Sequence, residues 1–179
     1  MKYFNEYNIN KRTKVINPYY DEFGNLYSTV LLEGDILQVR KSPRKILNET
    51  LENNKSSFQA AMQFSKIHFR NHNMLPIVIC EFNNIVMFPV TSPYKETCQW
   101  LNPEHIKDYP SVDGRHTKVI FNDDTTLVVN LSRTCFEAKY HRALLLRNIV
   151  RERRLKLIYI DNYENFSLAM ERKMQYNKD

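Results

Sequence analysis

Three glycines in 179 residues cannot supply a glycine-rich phosphate loop, so nucleotide handling of that kind is set aside at once. Cysteine is equally sparse. Cys80, Cys98 and Cys135 are an odd number at wide spacing, which fits reduced thiols in a cytoplasmic protein rather than a disulfide framework. No CxxC or HExxH spacing is present, so the chain offers no recognisable zinc motif, and no cofactor is expected. Long apolar runs are missing too: Met74 to Cys80 is interrupted by Pro76 and falls far short of the ~20 residues a membrane span requires. The opening MKYFNEYNINKRTK has no apolar core of signal-peptide length. A soluble, cytoplasmic protein making no membrane contact is the expectation.

What is present is positive charge, and it is concentrated. Arg133 to Lys156 holds eight basic residues, Arg133, Lys139, Arg142, Arg147, Arg151, Arg153, Arg154 and Lys156, against two acids, Glu137 and Glu152. That segment carries the net +6 of the whole chain, and the remainder sums to zero. Charge gathered on one helix-length element is the footprint expected of a protein that binds a polyanion. These eight residues are the candidate polyanion-binding set.

The length suits a single domain with a substantial core. Residues 1–25 read as an N-terminal arm or a first strand, 26–160 as one α+β domain, and 161–179 as a C-terminal helix or tail. Leu26 to Leu32 and Ile36 to Val39 flank Glu33-Gly34-Asp35 as a hairpin. Ser42 followed by Pro43 predicts the start of a short helix ending near Asn53-Asn54. Ser57 could cap another, but residues 56–75 stay open between helix and strand. Ile77 to Phe82 and Ile85 to Val90 form a second hairpin around Asn83-Asn84, a pair that tolerates a type I′ turn. Asn102-Pro103-Glu104 could begin a helix, and Val119 to Phe121 with Thr126 to Leu131 make a third hairpin about Asn122-Asp123-Asp124.

The pattern then turns helical. Thr134 and Glu137 fit a capping box, and Phe136, Tyr140, Ala143, Leu144 and Val150 share one face at 100° per residue. Arg147, Arg151 and Arg154 make one stripe, with Lys139, Arg142 and Arg153 in an adjacent sector. Arg147 falls within the apolar range, so it must reach outward, pair with an acid or meet a ligand. Leu155 to Ile160 could extend the helix or form a strand, and Tyr163 to Met174 carries a weaker helical pattern. Antiparallel strands and hairpins in the first two thirds, followed by a long basic amphipathic helix, define an α+β fold.

Other constellations carry less. Cys98 with His105 or His116 could be a thiol and its base, yet no orienting motif surrounds them. Glu81, Asp123 and Asp124 could hold magnesium in a nuclease, but Asp123-Asp124 stands where a hairpin turn favours Asp. An enzyme is not the expectation.

The ordered set Ile85-Val86-Met87-Phe88-Pro89 with Ser92, Cys98-Gln99-Trp100-Leu101, His105-Ile106-Lys107, Val119-Ile120-Phe121-Asn122 and the helix through Phe136, Tyr140, Arg142 and Leu146-Arg147 resembles the competence transcription factor family, ComK. Order and separation match from about Leu26 to Arg154. The resemblance implies a bacterial activator of DNA-uptake genes that binds paired AT-rich boxes in double-stranded DNA, largely through the minor groove, as a dimer or tetramer. It also implies a nucleoid location and control by a proteolytic adaptor. Two departures point to a divergent paralogue: Ser56-Ser57-Phe58-Gln59-Ala60-Ala61 lacks the glycine and basic residue of the family, and Gln99 replaces a small residue. An RNA-binding or nonspecific nucleic-acid module is the alternative. A module binding an acidic protein is a further one.

Overall fold

The computed structural model describes the backbone of residues 3–176 and the side chains of residues 3–161. Among the described residues, ten strands, three α-helices and one 3-10 turn follow one another in an α+β arrangement. The segment left open between arm and strand supplies β1 (Tyr3–Phe4) and β2 (Thr13–Tyr20), and Val15 and Ile16 of β2 are wholly buried. β2 pairs antiparallel with β3 (Leu26–Leu32), which turns through Glu33-Gly34 into β4 (Asp35–Val39). Gly34 takes φ +76°, a conformation glycine reaches without steric cost.

Two helices follow. Ser42 Oγ accepts from Lys45 N at 3.2 Å and starts α1 (Pro43–Asn53), with Pro43 in the first turn where its missing N–H is harmless. Ser57 Oγ accepts from Ala60 N at 3.1 Å and starts α2 (Phe58–His68), which resolves the ambiguous stretch as a helix. The reason lies in its spacing: Phe58, Ala61, Met62 and Ser65 are buried at i, i+3, i+4 and i+7, one face of a 3.6-residue period.

β5 (Ile77–Cys80) and β6 (Ile85–Pro89) form the expected hairpin, but its turn runs over Glu81 to Asn84. Of the two asparagines only Asn84 has positive φ, +53°, so the turn is not type I′, which requires two. β7 (Trp100–Leu101) inserts between β2 and β6, giving a seven-stranded sheet of order β1-β4-β3-β2-β7-β6-β5. All its pairs are antiparallel except β1 with β4. Asn102-Pro103-Glu104 opens a 3-10 turn, η1 (Pro103–His105), instead of a longer helix. β8 (Ile106–Asp108), β9 (Thr117–Phe121) and β10 (Thr126–Val129) make a second, three-stranded sheet.

The final helix, α3 (Arg133–Tyr176), begins two residues earlier than the capping box placed it. Ser132 caps it, its carbonyl accepting from Phe136 N at 2.9 Å and its hydroxyl from Cys135 N at 3.4 Å. Glu137 does not reach back to the cap; it accepts from the Tyr109 hydroxyl at 3.2 Å. Phe136, Ala143, Leu146 and Val150 are buried, while Tyr140 and Leu144 are half-buried. The packed face is therefore turned toward Leu146 relative to the sequence expectation, because Phe136 anchors against Phe88 of β6 with ring centroids 5.7 Å apart. Leu155 to Ile160 continues as helix. Trp100, Phe88, Phe121 and Phe136 are the bulkiest fully buried side chains, and they hold both sheets and α3 to one core.

Candidate nucleic-acid interface

α3 runs along β6 as far as Val150 and then continues beyond the packed body, with residues 151–161 exposed apart from half-buried Arg154. Its eight basic residues fall into three physical situations. Lys139 is the departure from expectation: it is buried, its Nζ donating to Pro89 O at 3.0 Å and lying 3.1 Å from Met74 Sδ. The rotation of the packed face brings it inward, where loss of hydration lowers its pKa to about 8. In this position its ammonium faces β6 and is not presented to solvent.

Four arginines are tethered to the body. Arg133 lies over the Tyr109 ring with its guanidinium carbon 6.0 Å from the centroid. Arg142 donates from Nε to Ala138 O at 2.9 Å and from Nη1 to Asn73 O at 3.3 Å. Arg147, which the wheel placed within the apolar range, is paired with an acid: Nη2 donates to Glu104 Oε1 at 2.6 Å. Arg154 donates from Nη1 to Phe82 O in the β5–β6 turn. Nε of Arg147 and Nε of Arg154 are buried without a partner.

The remaining three are available. Among the described residues Arg151 and Lys156 make no hydrogen bond or ion pair, and Arg153 makes a loose pair with Glu81 at 3.9 Å and lies 5.8 Å from the Phe64 ring centroid while its side chain stays more than half exposed. Arg147, Arg151 and Arg154 share one flank of α3, as expected, but two of the three are spent on the body. Arg153 and Lys156 border a cleft on the other flank, between α3 and α2, with Phe64, His68 and Leu157. The basic helix is thus not one open stripe; it leaves uncommitted positive charge just past the packed body, at Arg151, Arg153 and Lys156.

The constellations considered for catalysis stay apart. Cys98 is buried, its thiol facing Gln99 O at 3.4 Å, and burial raises its pKa, the reverse of what a nucleophile needs. His105 Nε2 is 2.7 Å from Lys11 O, and His116 pairs with Asp113. Asp123 pairs with Lys14 at 2.6 Å and Asp124, at φ +60°, forms the β9–β10 turn and pairs with Lys107. His68 and His72 stand four apart, but α2 stops at His68, so they do not share a helical face. Among the described residues no three potential ligands gather around one metal position, and no helix is long and apolar enough to cross a membrane.

Sequence reasoning missed the inward turn of Lys139 and the basic, acid-free character of α2. The first had a local signal, since Lys139 stands at i, i+4, i+7 and i+11 with buried Ala143, Leu146 and Val150, and the second was visible in composition. The ComK protein family matches residues 4–155, most of the chain, and the chain belongs to that family. One relative is the competence transcription factor of Bacillus subtilis (strain 168), 23% identical over 148 residues that cover 82% of this chain and 76% of the relative. No solved structure shows significant similarity.

Proposed function

We propose that this chain is a DNA-binding transcriptional activator of DNA-uptake genes, a regulator and not an enzyme. The observation that carries the reading is the part of α3 just past the packed body, where Arg151 and Lys156 remain unpaired and Arg153 is held only loosely while the rest of the basic run is tied to the body. Family membership and the designation of the Bacillus subtilis relative support it. The finer reading is recognition of paired AT-rich boxes, largely through the minor groove, whose enhanced negative potential at A-tracts favours inserted arginine. Short AT boxes need repetition in register to be selective, which calls for a homo-oligomer on DNA. Leu155, Leu157, Ile158, Tyr159 and Ile160 are all about half exposed or more on the projecting part of α3 and would supply the self-association surface. The cell location is the nucleoid, and turnover through a proteolytic adaptor follows the family.

Duplex binding measured by anisotropy across salt concentrations tests this. An AT-box duplex is expected to bind more tightly than a GC-rich duplex of equal length or a single strand. The variant R151A/R153A/K156A is expected to lose affinity for every sequence and to reduce the salt slope by about 2–3. Tighter binding of single-stranded RNA would replace this reading with the RNA-binding one.

A further inference from the structure

Among the described residues, Phe23 and Phe82 are the most exposed of the large apolar side chains, at 81% and 80%. Each stands at the tip of a hairpin, Phe23 between β2 and β3 and Phe82 between β5 and β6. Their surroundings differ in charge. Phe23 follows Asp21 and Glu22, and its N–H donates to Asp21 Oδ1 at 3.0 Å. Phe82 sits against the basic part of α3: Arg154 Nη1 donates to its carbonyl, and Arg153 lies 3.9 Å from the adjoining Glu81. Arg151 stands one turn earlier on the same flank as Arg154, and Lys55 borders one surface concavity of about 480 Å³ with Phe82. Two carboxylates, Glu81 and Glu152, stand among these four cations, so the surroundings of Phe82 stay net positive.

The Phe82 ring is also rigidly mounted. Ile79, Ile85 and Val86 at the base of its hairpin are buried, and strand pairing runs up to Cys80 and Ile85. Asn84 N donates to Glu81 O at 3.1 Å and closes the turn, with Asn84 at φ +53°. The bond from Arg154 then ties the tip to α3. Phe82 itself makes no ring contact among the described residues. A fixed turn therefore holds an aromatic ring out in water, at the place where α3 leaves the packed body with its charge uncommitted.

We infer that Phe82 is an insertion wedge for duplex DNA, a ring that enters a base step from the minor groove and kinks the duplex while the α3 arginines hold the phosphates beside it. The inference rests on the DNA-binding reading above and deepens it. An inserted apolar ring leaves water and replaces part of the stacking that the opened step loses. Pyrimidine–purine steps such as TA open most readily, so a wedge favours AT-rich sequence without a hydrogen bond to any base edge. A ring fixed before contact also loses little freedom on binding. Phe23, equally exposed but set among acids, would be repelled by phosphates and serves as the internal control.

The test uses the full chain and an AT-box duplex labelled at both ends for energy transfer, with 2-aminopurine replacing adenine at a TA step. The wild-type chain is expected to bend this duplex by roughly 20–90° and to raise the 2-aminopurine fluorescence as the step unstacks. Phe82→Ala should abolish both signals. Its salt slope should stay unchanged, because no phosphate contact is removed. Little buried surface is lost with an exposed ring, so folding, checked by circular dichroism, is expected to be retained. Phe82→Leu, which keeps an apolar wedge, should retain the bend, and Phe23→Ala should leave both signals as in the wild type. Wild-type binding without bend or unstacking, or a Phe82→Ala variant that keeps both, overturns this inference and leaves the DNA-binding reading intact. Failure of the wild-type chain to bind duplex removes both.

Discussion

Arg147 and Glu104 meet at 2.6 Å although 43 residues separate them, and their ion pair fastens the middle of α3 to the 3-10 turn of the neighbouring segment. It settles how an arginine on the rim of an apolar face is accommodated. It also neutralises one of the cations that a helical wheel assigns to a polyanion. Both side chains keep partial solvent access, so the pair is worth little to stability and matters more for local potential.

Glu104→Gln is therefore expected to raise duplex affinity by about threefold at low salt, because the carboxylate that offsets the Arg147 charge is removed. Arg147→Ala should lower affinity by a similar factor. Anisotropy titrations at two salt concentrations check both, and an effect of Glu104→Gln that persists undiminished at high salt would mean the residue acts through structure.

Lys14 and Asp123 form the corresponding tie between the two sheets. The lysine side chain is 4% exposed, and its Nζ donates to Asp123 Oδ2 at 2.6 Å and Thr125 Oγ1 at 2.7 Å. Partial burial works against the Asp123 carboxylate, but the bonds from Lys14, the Thr125 hydroxyl and the Thr125 amide outweigh it and hold its pKa well below the usual carboxylate value. Asp123→Asn should cost about 3 kcal/mol, since it leaves a buried ammonium without its counter-charge. A carboxylate with a depressed folded pKa contributes stability that is present above its unfolded pKa and is lost as pH falls toward the folded one. The wild-type advantage over Asp123→Asn is thus expected to shrink below about pH 4. Urea unfolding followed by the fluorescence of Trp100, the single tryptophan and wholly buried, reads this directly.

For Lys139 the sign is opposite. Its folded pKa is lowered to about 8 by burial, so between that value and its ordinary 10.5 the unfolded chain binds more protons, and stability rises with pH through this window. Lys139→Met should abolish that rise and leave stability at pH 7 unchanged or improved, because an apolar chain of similar length fills the site without a desolvated charge. DNA affinity should not change. Thermal melts at pH 7 and pH 9.5 make the comparison, and a loss of DNA binding by the folded variant would return Lys139 to the interface.

The exposed apolar residues beyond Val150 lead to a prediction about assembly. Leu155 and Ile158 stand three apart on one side of the projecting helix, each about half exposed. Leu155→Glu with Ile158→Glu should shift the protein from oligomer to monomer in light scattering while leaving the melting temperature of the body within a degree or two, because neither residue packs on it. An unchanged mass would exclude this part of α3 as the contact.

Local features of this protein were determined by its sequence. Ser42-Pro43 sets the start of α1, Glu33-Gly34 the turn between β3 and β4, and the run from Arg133 a basic helix, because capping, left-handed backbone and 3.6-residue periodicity depend on neighbours a few positions away. Resemblance in an ordered set of short segments likewise identified the family that the comparison then showed. Tertiary structure alone decided that β7 enters between β2 and β6, that β1 pairs parallel with β4, and which positive charges remain for a partner. Lys139 and Arg151 belong to one basic run, yet one is buried against Pro89 and the other stands in solvent. That division is set by how far α3 rotates when Phe136 packs on Phe88 and by acceptors on Glu104, Phe82 and Asn73. Those groups lie 43 to 72 residues away in the chain, beyond the reach of any local pattern, and only long-range packing brings them to the helix.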